Sequence, residues 1–275
     1  MRLFVFGLGY TGQALATRLR GQGWHVAGTG RGGTLDFDDV AAVRRELATA
    51  THIVSSVPPA DERDPVLERY GNALGESATW LGYLSSTGVY GDAAGAWVDE
   101  TAPTGTGRRT ARSAADAAWL ALGARVFRLP GIYGPGRSTL ERIAAGTAHR
   151  TGLTGQVFSR VHVADIVTGV IAGFGAPPGA YNLADDLPAS HDDVVVFASR
   201  LIGLPLPPLV PLDGLSPMAR GFYAENRRIA TTKAKRLLGW RPLYPDYRAG
   251  LRSVSAMSNP AITSAPPVID STDQR

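Results

Sequence analysis

The beginning of the chain carries a glycine pattern that few folds can accommodate. Residues 3–6 form a short apolar run, which is followed at once by Gly7, Gly9 and Gly12. Apolar side chains then recur at helical spacing at Ala14, Leu15 and Leu19. A short apolar run bounded by turn residues is typical of a strand that is buried on both faces. The pattern therefore predicts a buried strand, a tight turn and a helix, in that order.

Glycines at this spacing between a strand and a helix are typical of dinucleotide-binding proteins. The first glycine allows the tight turn, the second lets the backbone approach a pyrophosphate, and the third allows close packing of helix and strand. The N-terminus of the helix then faces the phosphates. We therefore predict that a cofactor is bound by Gly7, Gly9, Tyr10, Thr11 and Gly12.

The second predicted strand, residues 24–29, indicates which dinucleotide is bound. NAD-binding proteins place an acidic residue about 20 residues past the glycine pattern, where it binds the ribose hydroxyls. This chain has no acidic residue there before Asp36, and the strand runs instead into Gly30 and Arg31. Because a guanidinium group can pair with a 2′-phosphate, Arg31 favours NADP over NAD. The alternative is that Arg31 is an exposed loop arginine.

The rest of the first half alternates between strand and helix patterns. Further strands are expected at residues 51–59, 80–86 and 125–129, and helices at 64–78 and 107–122. Such alternation predicts an α/β protein with a doubly wound parallel sheet, the Rossmann arrangement. The segment 256–275 is rich in Ser, Thr and Pro and is expected to be a flexible tail.

The composition excludes several classes of function. The 275 residues include no cysteine, so disulfides and thiolate chemistry are absent, and the histidines show no metal-ligand spacing. The net charge of +4 is spread along the chain, which does not indicate a nucleic-acid groove. No apolar run approaches the ~20 residues of a membrane span, and no signal peptide is apparent. We expect a cytoplasmic protein without a metal and with neither nucleic acid nor membrane as partner.

Five further stretches carry a resemblance to a known family. They are LSSTGVYGD (84–92), FRLPGIYGPGR (127–137), SRVHVADIVTGVI (159–171), GAYNLADDLPAS (179–190) and RRIATTKAKRLLGWRPLYPDYRAGL (227–251). With the glycine pattern, they resemble the NAD-dependent epimerase/dehydratase family, the extended branch of the short-chain dehydrogenase/reductase superfamily. The resemblance spans residues 1–251.

The resemblance implies a division of the chain into two domains. A Rossmann domain is expected at residues 1–183, with an insertion near 138–158. A smaller C-terminal substrate domain is expected at 184–255, and a small-molecule substrate is expected in the cleft between the two. Members of this family often dimerise through the helices expected at 64–78 and 107–122, so a homodimer is a further expectation.

The family pattern also implies roles for individual residues. Ser86 matches the active-site Ser/Thr, whose hydroxyl hydrogen-bonds a substrate oxygen; the alternative is a helix-capping or strand-end serine. Ser55 and Pro58 match the loop under the inner ribose of the cofactor. The segment whose backbone lies against the nicotinamide is matched by Pro130, Gly131 and Ile132.

The sequence departs from the family at its catalytic Tyr-x-x-x-Lys pair. Arg108 stands in the tyrosine position and Arg112 in the lysine position, one turn before Asp116, and no Tyr-x-x-x-Lys occurs anywhere in the sequence. A guanidinium group stays protonated and cannot shuttle a proton near neutral pH. Arg112 can still supply positive charge near the ribose, the alternative being that both arginines solvate one helix face. The departure resembles an atypical subgroup of the superfamily.

Two functions are therefore left open. The first is an NADP-dependent oxidoreductase acting on a small carbonyl or hydroxyl compound, with Ser86 orienting the substrate and Arg112 the cofactor. Its proton would come from Tyr90, from another nearby group such as Tyr133 or His162, or from water; each of these side chains has a structural alternative. The second is a non-catalytic NADP-binding sensor or regulatory protein. The motifs that survive beside the nicotinamide favour the first.

Overall fold

A computed structural model of the chain describes residues 1–75, 80–107 and 110–258. The strands are β1 (Arg2–Phe6), β2 (His25–Gly28), β3 (His52–Ser55), β4 (Trp80–Ser86), β5 (Trp97–Val98), β6 (Arg125–Leu129), β7 (Gly131–Tyr133), β8 (Arg160–His162), β9 (Gly179–Asn182) and β10 (Arg228–Ile229). The helices are α1 (Tyr10–Arg20), α2 (Val40–Leu47), α3 (Pro65–Gly75), α4 (Thr110–Ala121), α5 (Thr139–Ala144), α6 (Val163–Ala172), α7 (His191–Ile202), α8 (Pro217–Phe222), α9 (Thr232–Leu237) and α10 (Tyr247–Ser258).

A parallel sheet of six strands forms the centre of the molecule. Its strands lie in the order β2-β1-β3-β4-β6-β9, and every neighbouring pair is parallel. The order reverses at β1, which has β2 on one side and β3 on the other. In sheets of this kind, ligands bind in the crevice at the carboxyl ends of the strands at the reversal point. The predicted Rossmann sheet is confirmed, and its crevice lies at the glycine turn.

Helices cover both faces of this sheet, which explains why its strands are mostly apolar, Arg128 of β6 being a buried exception. On one face, Leu15 of α1 and Ile166 of α6 pack against the sheet. On the other face, α2, α3 and α4 contribute a second cluster, in which the Tyr83 and Trp119 rings stack with centroids 5.2 Å apart. These two cores fix the carboxyl ends of the strands, where the candidate site lies.

A third core lies in the C-terminal part of the chain. Helices α5, α7 and α10 pack around buried side chains such as Ile143, Val195 and Leu251. The start of α5 is fixed by a capping box between Ser138 and Glu141. This lobe supplies one wall of the cleft described below.

The element bounds differ from the sequence predictions mainly at loops and at the ends of the described segments. The strands expected at 80–86 and 125–129 have those bounds, whereas β3 ends at Ser55, before two prolines that cannot donate to a sheet. The helices expected at 64–78 and 107–122 are observed as Pro65–Gly75 and Thr110–Ala121. Arg108 and most of the expected tail, residues 259–275, lie outside the described residues. Within the described ranges, every helix is too short or too polar to cross a bilayer.

Candidate functional site

The glycine turn has the geometry that its sequence demands. Gly7 has φ +86°, a backbone conformation that side chains disfavour. A Cβ on Gly12 would lie 2.6 Å from the Gly7 carbonyl oxygen, whereas a Cβ on Gly9 would meet nothing within 4 Å. Gly9 also begins α1 without a side-chain cap. The turn therefore packs tightly against its own backbone at Gly12 and leaves open space beside Gly9, at the N-terminus of α1.

The turn after β2 is held directly beside the glycine turn. Leu8 donates its backbone N–H to the Thr29 carbonyl at 2.7 Å. The Gly32 N–H donates to the Leu8 carbonyl at 3.3 Å. The Gln13 side chain of α1 donates to the Gly32 carbonyl at 3.0 Å. Arg31 lies within this turn and is exposed. The turn that carries Arg31 is therefore anchored next to the predicted phosphate site, although Arg31 does not line the cleft.

One cleft of about 940 Å³ connects the glycine turn with the carboxyl ends of β4 and β6. It brings together nine of the residues predicted from the sequence: Gly9, Tyr10, Thr11, Pro58, Ser86, Arg112, Pro130, Gly131 and Ile132. Gly12 and Ser55 are buried behind its wall. Ser56 takes the place expected for Ser55, since it lines the cleft and donates to the Gly7 carbonyl at 2.5 Å.

Ser86 ends β4 with its side chain in the cleft. Its hydroxyl oxygen accepts a hydrogen bond from the Gly88 N–H at 3.1 Å and caps the short 3₁₀ helix Thr87–Tyr90. Because the oxygen accepts, the hydroxyl hydrogen can be donated to a substrate oxygen. The capping interaction of Ser86 is therefore observed, and it leaves the hydroxyl hydrogen available to the cleft.

Arg112 is positioned by a buried polar network one turn further along α4. Asp116 accepts from the Ser85 hydroxyl at 2.6 Å and from two nitrogens of Arg128 at 2.7 and 3.1 Å. Asp116 and Arg128 are 1% and 3% exposed, so this ion pair is screened little by water. The network ties α4 to β4 and thereby fixes Arg112 relative to Ser86.

Tyr90 is not brought into the cleft with Ser86. It is 3% exposed, and its hydroxyl donates to Asn182 Oδ1 at 2.7 Å and accepts from Arg128 at 3.0 Å. Burial raises the pKa of Tyr90, with Arg128 acting in the opposite direction. Its hydrogen is engaged inside the wall, so the proposed proton transfer from Tyr90 finds no support in this geometry.

Tyr133 and His162 also lie behind the wall. Burial raises the pKa of Tyr133 and lowers the pKa of His162 to about 4, so both are neutral near pH 7. His162 Nδ1 accepts from the Ala164 N–H at 3.2 Å and caps α6, and its ring lies 4.3 Å from that of Tyr244. These contacts match the structural alternatives for both residues.

The sequence analysis missed several side chains that line the cleft. They are polar or aromatic residues that lie partly within the family-like stretches and partly between them: Arg137, Arg142, His149, Phe158, Arg160, His191, Tyr223 and Arg227. Arg137 lies over the Tyr10 ring, 5.6 Å from its centroid, and Arg227 pairs with Glu225 at 2.8 Å. The scarcity of lysine beside many arginines is the one feature of the sequence that could have drawn attention to them.

Comparison with known proteins gives distant curated relatives. No protein-family model matches the chain. It is 28% identical over 282 residues to Protein YeeZ of Escherichia coli K12, covering 89% of this chain and 97% of that protein. It is 30% identical over 138 residues to a 3-diazoavenalumate denitrifying reductase of Streptomyces, covering 46% of this chain and 45% of the reductase.

One solved structure is more similar in sequence, and others share the fold at lower identity. A functionally unknown conserved protein from Silicibacter pomeroyi is 42% identical with a TM-score of 0.83, covering 93% of this chain and 98% of that one. Human epimerase family protein SDR39U1 with NADPH is 17% identical with a TM-score of 0.74 (93% and 99% covered). The dTDP-glucose 4,6-dehydratase of Bacillus anthracis with NAD is 16% identical with a TM-score of 0.76 (95% and 97% covered). The chain therefore belongs to one family with the Silicibacter pomeroyi protein and has the fold of the NAD-dependent epimerase/dehydratase proteins, as its sequence predicts.

Proposed function

We propose that this protein is an NADP-dependent oxidoreductase acting on a small carbonyl or hydroxyl compound, within an atypical subgroup that lacks Tyr-x-x-x-Lys. One observation carries the proposal: a single cleft contains the glycine turn, the Pro130–Ile132 backbone and the Ser86 and Arg112 side chains. Two similar proteins point the same way, since the human SDR39U1 structure holds NADPH and the Streptomyces relative is named a reductase.

The glycine turn fits the phosphates of a dinucleotide. The uncapped N-terminus of α1 and the open space above Gly9 suit a pyrophosphate, whereas the space below Gly12 is filled by backbone. Gly9, Tyr10 and Thr11 would hold the pyrophosphate, and Arg31 would pair with the 2′-phosphate. When bound, NADPH supplies a hydride to the substrate.

The residues of the chain would then orient the substrate and stabilise its developing charge. Ser86 donates its hydroxyl hydrogen to the carbonyl oxygen, and Arg112 adds positive charge as that oxygen becomes negative. Water supplies the proton, because Tyr90 donates its own hydrogen to Asn182. Without a positioned side-chain acid, turnover is expected to be slower by roughly 10²–10⁴-fold than in an enzyme that has one.

A non-catalytic NADP-binding sensor is the second candidate. The missing Tyr-x-x-x-Lys and the burial of Tyr90 behind the cleft wall favour it. In that case, the cofactor would occupy the same turn, and a partner would respond to its occupancy. The two candidates share the cofactor site and differ in whether hydride leaves the cofactor.

Binding of NADPH and NADH to the purified protein, measured by calorimetry, tests the shared part. We expect NADPH to bind at least about tenfold more tightly, which corresponds to about 1.4 kcal/mol. Arg31→Ala should abolish this preference and leave NADH binding unchanged. Arg18→Ala, which removes an exposed arginine of α1, is the matched control.

Two outcomes decide between the candidates. If neither nucleotide binds, both functions are refuted. If NADPH binds, its oxidation is followed at 340 nm with a panel of aldehydes, ketones and oxo acids. Reduction that is lost in Ser86→Ala while NADPH affinity is retained supports the oxidoreductase, and its absence across the panel favours the sensor.

A further inference from the structure

The C-terminal lobe contributes a wall of the cleft that is built from rings and guanidinium groups. We define this C-terminal wall as Arg142, His149, Phe158, Arg160, His191 and Tyr223. Neighbouring rings of the wall contact one another: centroids lie 5.5 Å apart for His149–His191, 6.3 Å for His191–Tyr223 and 5.6 Å for Phe158–Tyr223. The Phe158–Tyr223 and His191–Tyr223 pairs meet edge to face, at 84° and 85°, so a planar group can pack against the face of an individual ring of this wall.

Two polar rings of the wall, His191 and Tyr223, are uncharged near neutral pH. Burial lowers the pKa of His191 to about 4, and the charges of Arg142 and Arg160 act in the same direction. Burial raises the pKa of Tyr223. Asp192 also lies near Tyr223, but its carboxylate accepts backbone N–H bonds from residues 151 and 152, both at 2.8 Å. The two arginines of the wall, in contrast, carry positive charge.

The arginines around this wall differ in what already occupies their donors. Arg160 donates to the backbone carbonyls of Phe158, Ala189 and Ser190, at 2.8, 3.0 and 3.4 Å. Its guanidinium group is thus held by the fold and contributes mainly a fixed charge. Arg227, elsewhere in the cleft, is paired with Glu225.

Arg142 has fewer of its hydrogen-bond donors occupied than Arg160. It is exposed and donates to the Thr139 hydroxyl at 3.2 Å. Among the residues that the structure describes, no carboxylate oxygen lies within the 4.0 Å salt-bridge distance of its guanidinium group. A guanidinium group has five N–H donors arranged to match a carboxylate. Arg142 therefore presents a fork of donors and an unmatched charge to the cleft.

We infer that the C-terminal wall binds the carboxylate of a planar organic acid, with Arg142 as its direct partner and the rings stacked on its planar part. The inference rests on the proposed oxidoreductase function and names its substrate class as an oxo acid. The donors of Arg160 are already occupied by backbone carbonyls, so Arg142 is the arginine of this wall whose donors can form the paired hydrogen bonds that a carboxylate accepts. In the reaction, the carbonyl carbon gains the hydride of NADPH and its oxygen gains a proton from water, giving a hydroxy acid and NADP⁺.

Matched pairs of acid and amide test the inference directly. Binding of cinnamate against cinnamide, and of benzoate against benzamide, is measured by calorimetry with and without saturating NADPH. We expect at least one acid to bind about tenfold more tightly than its amide, as charge-assisted hydrogen bonds predict. Arg142→Gln should remove that difference and leave NADPH affinity unchanged. Arg200→Gln, an exposed arginine of α7 in the same lobe, should change neither.

The outcomes separate the inference from the function on which it rests. If NADPH binds but no acid is preferred over its amide, or the preference survives in Arg142→Gln, the assignment of the wall is wrong and the proposed function stands. Tighter binding of uridine diphosphate through Arg142 would also overturn it. If an acid binds through Arg142 while NADPH does not bind at all, the wall is a carboxylate site and the oxidoreductase function is refuted.

Discussion

Replacing Asp116 by alanine should destabilise the protein more than almost any other single change near the cleft. The substitution removes the acceptor of two hydrogen bonds from Arg128 and one from Ser85. All three side chains are less than 5% exposed, so water cannot take the place of the lost carboxylate. Arg128 would keep its hydrogen bond to the Tyr90 hydroxyl, which does not neutralise its charge.

The expected size of the effect follows from the burial of the pair. Removing one partner of a buried ion pair costs about 3–5 kcal/mol, because the other charge is left uncompensated. In a chain of this size, each kcal/mol lowers the melting temperature by roughly 2–4 °C. Asp116→Ala should therefore melt roughly 6–20 °C below the wild type, as measured by circular dichroism. If NADPH binds, its affinity should fall as well, since α4 would no longer be tied to β4.

Two control variants separate this explanation from a general effect of mutation. The double variant Asp116→Leu, Arg128→Met replaces the pair by apolar side chains and should recover most of the lost stability. Glu68→Ala breaks the exposed pair with Arg63 and should cost less than about 1 kcal/mol. The reasoning fails if Asp116→Ala also costs less than about 1 kcal/mol, or if the double variant is as unstable as the single one.

Three further predictions concern the glycine turn and the buried titratable groups. Gly12→Ala places a methyl group against backbone 2.6 Å away and should weaken NADPH binding by at least about tenfold in a calorimetric titration; unchanged affinity would show that the turn does not hold the cofactor. Tyr90→Phe should lower the free energy of unfolding by about 1 kcal/mol and leave any NADPH-dependent turnover within about threefold of the wild-type rate. A large loss of turnover would show that Tyr90 takes part in catalysis. Burial raises the pKa of Asp185 to about 8, with Arg160 opposing it, so the stability linked to its protonation is present below about pH 4 and is lost as the pH rises through 8. Relative to the wild type, Asp185→Asn should therefore gain more than about 1 kcal/mol between pH 5 and pH 9 in urea titrations, and an equal difference at both pH values would contradict the shift.

The parts of the site that the sequence predicts are those set by local geometry. The glycine turn could be located because its three glycines meet steric requirements that are set within six residues of sequence. One example is the close approach of Gly12 to the Gly7 carbonyl. Ser86 could be assigned because its motif resembles the family pattern, and the structure places it at the end of β4, at the edge of the sheet where the strand ends meet. The first inference needs only local sterics, whereas the second needs the resemblance.

Tyr90 shows where local reasoning stops. It follows Ser86 by four residues, which suggests proximity, but the intervening residues form a 3₁₀ helix. Side chains three residues apart eclipse one another in such a helix. Tyr90 therefore points in the same direction as Thr87, and both are buried, at 3% and 4% exposure. The direction of the Tyr90 side chain depends on a single short 3₁₀ turn, which no pattern in the sequence predicts.

The C-terminal wall could not be predicted, because its side chains come from separate segments that only tertiary packing brings together. Their charge state depends on equally distant partners: Arg160 is held by the Ala189 carbonyl, while Arg142 meets no carboxylate among the described residues. The sequence shows the arginines but does not show which of their guanidinium groups already have hydrogen-bond or ion-pair partners. In the proposed function, the cofactor turn and Ser86 set the reaction type and this wall faces the rest of the substrate, so specificity would depend on whether Arg142 has an acidic partner. A relative with the same turn and serine but an acidic residue beside position 142 should therefore bind neutral substrates in preference to acids.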